Sequence, residues 1–218
     1  MLDDRPMVFV VDDDDSIRKA LERLLCAKGY RVAAFSSAEA FRKEPLVPQI
    51  ACLVLDLQLP GLSGLELQDS LLRQNIFLPI VFISGHGTIP TAVRAVKAGA
   101  SGFLTKPFTD DQLIAEIETA LATCRVESTN RSEIETVRQR LGTLTRRESE
   151  VFASVVTGKL NKQTASDLGI DINTVKVHRR RVMRKMQAQS LADLVIMAQK
   201  LHGGTRGEVA LNSQTLSS

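Results

Sequence analysis

The chain carries very little aromatic surface. It has no tryptophan, one tyrosine and eight phenylalanines among 218 residues, and Phe152 is the only aromatic beyond residue 122. That argues against a protein that reads single strands by stacking bases on aromatic platforms. Cysteine is sparse as well. Cys26, Cys52 and Cys124 are far apart and form no CxxC pair, which disfavours a zinc site or a disulfide framework. Cys52 lies in an apolar run and reads as a small core residue. No apolar run is long enough to span a bilayer. The opening residues, Met1-Leu2-Asp3-Asp4-Arg5, lack the basic and apolar regions of a secretion signal. A cytoplasmic protein without a membrane partner is expected.

What is present is an ordinary globular composition, 44% hydrophobic, with an uneven charge. Residues 1–122 hold 12 Lys/Arg and 16 Asp/Glu, net −4; residues 123–218 hold 16 and 9, net +7. An acidic half joined to a basic half suggests two different partners.

The acidic half alternates short apolar runs with amphipathic stretches. Met7–Val11, Tyr30–Phe35, Ala51–Leu55, Leu78–Ile83 and Gly102–Leu104 read as strands. Helices are expected from Ser16 to Gly29, after Ser37, over 63–74, over 90–98 and over 110–122. Five such units predict a parallel sheet of five strands, flavodoxin-like, with helices on both faces. Ligands of such sheets bind at the carboxyl ends of the strands, near the topological switch point. The polar residues fall there: Asp12 and Asp13 after the first strand, Asp56 after the third, Ser84 after the fourth and Lys106 after the fifth.

Three carboxylates at one sheet edge repel one another unless a cation lies between them. All-oxygen ligands suit Mg²⁺, with Mn²⁺ as the alternative. An aspartate can act as nucleophile and form an aspartyl phosphate. Lys106 would neutralise charge on the transferring group, and the Ser84 hydroxyl would donate to a phosphoryl oxygen. Strand register favours Asp12 and Asp13 over Asp14 and Asp15 as metal carboxylates, because Val10 and Val11 precede them directly. Each motif alone has a plainer explanation: an Asp run is usually a solvated loop, and Asp56 before Leu-Pro-Gly could be a turn residue. Their agreement at the ends of four strands is what carries the reading. His86, in a loop, receives no role.

Val11-Asp12-Asp13-Asp14, Leu55-Asp56-Leu57-Gln58-Leu59-Pro60-Gly61, Ser84-Gly85-His86-Gly87 and Lys106-Pro107-Phe108 occur in family order, and the first 122 residues resemble the receiver domain of two-component systems. The resemblance implies that Asp56 is the phosphoacceptor. It implies Asp12, Asp13, Asp56 and the backbone carbonyl of Gln58 as metal ligands, and Ser84 and Lys106 as the phosphate-contacting pair. Phe103 stands at the aromatic switch position, and the Lys106–Pro107 bond would be cis. Ser84 stands where Thr is frequent, which keeps the hydroxyl.

Residues 123–143 read as a helical linker, in which a Ser132/Glu135 capping box opens the helix. Its narrow apolar stripe, Ile134, Val137 and Leu141, would rest on its own receiver or on another subunit. Residues 144–201 then hold four short helices. Thr145 and Glu148 form a capping box, Lys162–Leu168 ends at Gly169, Asp171 caps Ile172–Met186, and Ser190 caps the last helix. The third of these, residues 172–186, contains no acid and six cations: Lys176, Arg179, Arg180, Arg181, Arg184 and Lys185. Val175, Val182 and Met186 give it an inward face. A cationic helix with an apolar back suits the major groove of duplex DNA, whereas a merely solvated helix usually mixes signs. Residues 202–218 are expected to be a disordered tail.

Leu144-Thr145-Arg146-Arg147-Glu148-Ser149-Glu150-Val151, Gly158, Asn161-Lys162, Leu168-Gly169-Ile170 and Thr174-Val175-Lys176-Val177-His178 are similar to the LuxR/FixJ-type DNA-binding domain. By position, Lys176, Val177 and Arg180 would face base edges, and Asn161, Lys162, Thr174 and Arg181 would contact phosphates. His178 would be structural or near a phosphate, and Thr164 replaces a residue that is often apolar. Together the two resemblances imply a transcriptional response regulator in a phosphorelay. A sensor histidine kinase would phosphorylate it. It would then dimerise and bind promoter DNA, with RNA polymerase as a further partner, and it would have no enzymatic activity beyond its own phosphorylation and dephosphorylation. Three rivals are weaker. A haloacid-dehalogenase-type phosphohydrolase needs a second Asp where Gln58 stands. An RNA-binding regulator lacks its aromatics. A fixed, phosphorylation-independent dimeriser would not need the complete acidic site.

Overall fold

A computed structural model of the chain describes residues 5–45, 50–85 and 89–203. The chain divides into two compact units, 1–128 and 129–218. In the first, β1 (Met7–Val11), β2 (Arg31–Phe35), β3 (Ala51–Asp56), β4 (Ile80–Ser84) and β5 (Gly102–Thr105) form one parallel sheet in the order β2-β1-β3-β4-β5. The helices are α1 (Asp15–Ala27), α2 (Ala38–Phe41), α3 (Gly64–Arg73), α4 (Ile89–Lys97) and the start of α5 (Asp110–Gly142).

Strand alternation sorts the core into two layers. Phe9, Val11, Leu53, Leu55 and Phe82 point to one face, where Phe41 of α2, Leu67 and Leu71 of α3 and Ala95 of α4 cover them. Val8, Val10, Val54, Val81 and Ile83 point to the other, under Leu21 and Leu25 of α1 and Leu113, Ile117 and Leu121 of α5. Each large side chain buried this way contributes roughly 1.5–3 kcal/mol. Cys52 belongs to the second layer and is fully buried, and burial pushes its thiol up. Gln68 is the buried polar exception in α3. Its amide donates to the Ala95 and Ala98 carbonyls of α4, which ties that helix's last turn to α3.

Caps set the helix starts. Asp14 caps α1: its carboxylate accepts from Ser16 N and Ile17 N. Ser37 caps α2, and Ser63 with Glu66 forms a full capping box on α3. The linker start expected at Ser132 does not exist. α5 runs unbroken from Asp110 to Gly142, and the Ser132 carbonyl accepts the Thr136 hydroxyl inside it. Once a helix is nucleated, each added residue gains a hydrogen bond, and 123–131 contains no Gly or Pro to stop it. The stripe expected to rest on the receiver or on another subunit packs elsewhere. Val137 is buried and Leu141 partly buried in the core of the second unit.

That unit adds α6 (Arg146–Val156), α7 (Asn161–Leu168), α8 (Ile172–Met186) and α9 (Leu191–Gly203). Val151, Phe152, Val155, Val182, Met186 and Leu194 form its centre. Gly169 takes a left-handed conformation, φ 63°, ψ 37°, and turns α7 into α8, a geometry that costs a side-chain-bearing residue. Asp171 and Ser190 cap the helices that follow them. Thr164 is buried, and its hydroxyl has no hydrogen-bond partner among the described residues. Lys200 of α9 pairs with Glu133. Of the tail expected over 202–218, the first two residues instead close α9, and residues 204–218 lie outside the described residues.

Glu148 ties this unit together. It closes the capping box with Thr145 and accepts from Lys185 of α8 at 2.6 Å, with a side chain only 3% exposed. The Lys185 ammonium, then the Thr145 N–H, hold its carboxyl at about 2, well below the ordinary 4.5. A lowered folded-state pKa stabilises fully above the unfolded value and is lost as pH falls through the folded one. The unit is therefore expected to lose stability from about pH 4.5 down to about 2. Hydrogen exchange of α6 and α8 amides against pH checks this, and Glu148→Gln should flatten that part of the profile.

Candidate functional site

The strand order places the topological switch between β1 and β3, since β1 pairs with both β2 and β3. Asp12 follows β1 and Asp56 ends β3, so both stand at the carboxyl edge beside that switch. Asp12 is fully buried and Asp56 nearly so, while Asp13 is exposed. Ligand oxygens of the three carboxylates lie within 4.8 Å of one another. Lys106, beyond β5, reaches the same point. Its Nζ stands 2.7 Å from Asp12 Oδ2 and 2.6 Å from Asp56 Oδ2.

The electrostatics follow from that crowding. Burial raises the Asp12 carboxyl above its usual value. The hydrogen bonds from Lys106 and from Asp14 N–H oppose this without overcoming it, and the Asp56 charge adds to the rise. For Lys106 burial alone would lower the ammonium, but its bonds to Asp12 and Asp56 outweigh burial and raise it. The pocket is thus an anionic cleft held by an internal cation.

The acidic run resolves into four tasks. Asp12 pairs with Lys106, Asp13 faces solvent in the cluster, Asp14 caps α1 and Asp15 pairs at the surface with Arg18 and Lys19. Gln58 N–H donates to Asp56 Oδ1 at 2.9 Å, which keeps its peptide beside that carboxylate. Ser84 is buried at the end of β4, and its carbonyl accepts from Lys106 N–H. Phe103 is half-buried against Phe82, with ring centroids 6.4 Å apart. The Lys106–Pro107 bond is cis. His86 lies outside the described residues.

Three supports were not singled out from the sequence. Gly64 begins α3 against the Asp56 backbone: a Cβ there would stand 2.5 Å from the Asp56 carbonyl oxygen. Glu39 of α2 accepts from Leu62 N–H at 2.9 Å and so fixes the loop that follows Asp56. Arg18 donates to the Asp12 carbonyl. The Gly in Leu62-Ser63-Gly64 and the cation six residues after Asp12 were the available signals. Each needs the third dimension to be read.

In the second unit α8 presents Thr174, Lys176, Val177, Arg180, Arg181 and Arg184 on its exposed side, and buries Val175, Val182 and Met186. Two of the six cations are used internally. Arg179 donates to Asn161 Oδ1 at 2.9 Å, and Lys185 pairs with Glu148. Asn161 is half-buried and Lys162 exposed at the start of α7. His178 is half-buried, and its Nδ1 has no partner among the described residues.

Residues 8–118 match the model of the response regulator receiver domain, and residues 142–198 match that of the bacterial regulatory proteins of the luxR family. The chain is a response regulator. It is 44% identical over 197 residues to Nodulation protein W of Bradyrhizobium diazoefficiens, covering 90% of this chain and 87% of that one. It is 43% identical over 197 residues to the transcriptional regulatory protein FixJ of Rhizobium meliloti, covering 90% and 96%. Among solved structures, the response regulator StyR aligns with TM-score 0.78 at 44% identity, over 90% of this chain and 99% of that one. This response regulator therefore joins a receiver to a LuxR-type DNA-binding domain, and acts in transcription regulation within a two-component system. Its Asp12–Asp13–Asp56 cluster is the kind of acidic site at which receivers bind Mg²⁺. Among the described residues, no helix is long and apolar enough to cross a membrane.

The donor set fits such an ion: hard oxygens only, close together, and repelling one another without a cation. Removing Lys106 should expose that repulsion. Lys106→Ala is expected to cost the receiver roughly 1–3 kcal/mol without divalent ion, because it leaves buried carboxylates uncompensated. Thermal unfolding with and without Mg²⁺ checks this. The ion should raise the variant's midpoint by more than it raises the wild type's.

Proposed function

We propose that Asp56 accepts a phosphoryl group from a sensor histidine kinase, and that this modification controls dimerisation and promoter binding. The observation that carries the reading is the meeting of Asp12, Asp13, Asp56 and Lys106 at one sheet edge. A carboxylate oxygen of Asp56 attacks phosphorus; a new P–O bond forms as the P–N bond to the kinase histidine breaks. Asp12, Asp13, Asp56 and the Gln58 carbonyl would hold Mg²⁺ or Mn²⁺. The bound ion would supply positive charge beside the transferring oxygens. Lys106 exchanges its bond to Asp56 for one to a phosphoryl oxygen, and the Ser84 hydroxyl donates to another. Phe103 follows Ser84, a two-state rearrangement biased by local charge.

The surface that responds is formed by α4, β5 and α5. Ile89, Val93 and Val96 stand exposed on α4 at 81%, 46% and 55%, an apolar stripe suited to a second copy. Pairing presents two α8 helices to two half-sites about one DNA turn apart. Lys176, Val177 and Arg180 read base edges, while Asn161, Lys162, Thr174 and Arg181 contact phosphates. RNA polymerase is the further partner, and the cytoplasm the place of action. Apart from handling its own phosphoryl group, the chain is not an enzyme.

Asp56→Asn is expected to abolish the dimerisation that acetyl phosphate induces, as read by sedimentation. A variant that dimerises like wild type would end the proposal. Arg180→Ala and Lys176→Ala should each weaken binding to a duplex selected by footprinting by about 10-fold or more, and should relax base selectivity at the contacted positions. Their helical content should remain unchanged.

A further inference from the structure

The two metal carboxylates nearest in sequence are held very differently. Asp12 is fixed on several sides: its N–H donates to Phe35 O at 3.2 Å, its Oδ1 accepts from Asp14 N–H at 2.9 Å and its Oδ2 from Lys106. The Asp13 side chain is exposed and makes no hydrogen bond among the described residues. Its position in the cluster is therefore inherited from its backbone. The peptide that joins the two residues carries the Asp12 carbonyl, and that carbonyl accepts from Arg18 Nη1 at 2.8 Å. The second nitrogen, Nη2, stands 2.7 Å from Asp15 Oδ1. The Arg18 side chain is only 16% exposed, so this fork is packed rather than waving in solvent.

We propose that Arg18 is a positioning residue for the divalent-cation site, holding the Asp12–Asp13 peptide in the orientation that lets both carboxylates converge with Asp56. The inference rests on the reading of that cluster as a cation site. Arg18 sits in the first turns of α1, so it spans the corner from strand to helix with a single side chain. Two parallel donors at fixed spacing fix the plane of that corner, whereas a lysine ammonium is one point on a flexible stem. Partners that orient ligands from outside a metal site commonly govern affinity by about 10- to 100-fold.

The charge of Arg18 makes the idea testable, because charge and geometry predict opposite signs. A guanidinium near a cation site repels the cation. If charge were its whole effect, Arg18→Ala would bind Mg²⁺ more tightly and Arg18→Lys would match wild type. If it positions the peptide, both variants bind Mg²⁺ more weakly.

The test is isothermal titration of Mg²⁺ into the full chain, with wild type, Arg18→Ala, Arg18→Lys and Asp13→Asn at one pH and ionic strength. The expected result is a Kd about 10-fold higher for both Arg18 variants, with ion-free unfolding of Arg18→Lys close to wild type. Should Arg18→Ala fold poorly, Arg18→Lys alone decides. Wild-type affinity in Arg18→Lys, or tighter binding in Arg18→Ala, overturns the proposal. A different failure, in which wild type binds no Mg²⁺ or Asp13→Asn leaves binding unchanged, would strike the cation-site reading itself.

Discussion

Lys106 stands between Asp12 and Asp56 at hydrogen-bonding distance from both, and the arrangement of the receiver site depends on that bridge. Buried carboxylates this close cannot both remain ionised without a cation nearby. The chain provides one from the end of β5, across a sheet whose strand order puts β1 and β3 side by side. An ammonium bonded to two carboxylates can also leave one of them when a phosphoryl group presents better-placed oxygens. In the phosphotransfer proposed for Asp56, this contact would be exchanged for one to a phosphoryl oxygen.

Much of the surrounding structure keeps that bridge in place. Gly64 allows α3 to start against the Asp56 carbonyl. Glu39 holds the intervening loop through Leu62, and Gln58 folds its own N–H onto Asp56. On the other strand Arg18 and Asp14 secure the Asp12 corner. None of these residues needs to meet a phosphoryl group. They restrict where the carboxylates can go, which is how a site retains its geometry while its charge changes.

The elements were legible because their signals are local. Apolar runs ending in acids marked β1 and β3, the Thr145 capping box marked the start of α6, and the acid-free stretch 172–186 marked α8. The site residues were legible because each follows a strand. What escaped depended on contacts distant in sequence or on competition between local signals. Ser132 and Glu135 have the letters of a capping box, yet the helix arriving from Asp110 already satisfies their backbone groups, so the box never forms. The stripe Ile134, Val137, Leu141 showed that a face would be covered but not by what; Val137 and Leu141 pack in the core of α6, α8 and α9. Asp14 and Ser16 both suit an N-cap, and only the geometry chooses Asp14.

The DNA-binding unit applies the same economy of charge in reverse. Of the six cations in α8, Arg179 and Lys185 turn back to Asn161 and Glu148. Those two bonds anchor α8 to α7 and α6, and they separate structural cations from the exposed Lys176, Arg180, Arg181 and Arg184. Sequence counts all six alike, whereas the structure leaves four exposed and ties two to the neighbouring helices. Since phosphate attraction is insensitive to base sequence, the base reading proposed for Lys176, Val177 and Arg180 would depend on how rigidly they are presented. That rigidity begins at Glu148, an acid that in this basic unit fixes α8 through Lys185.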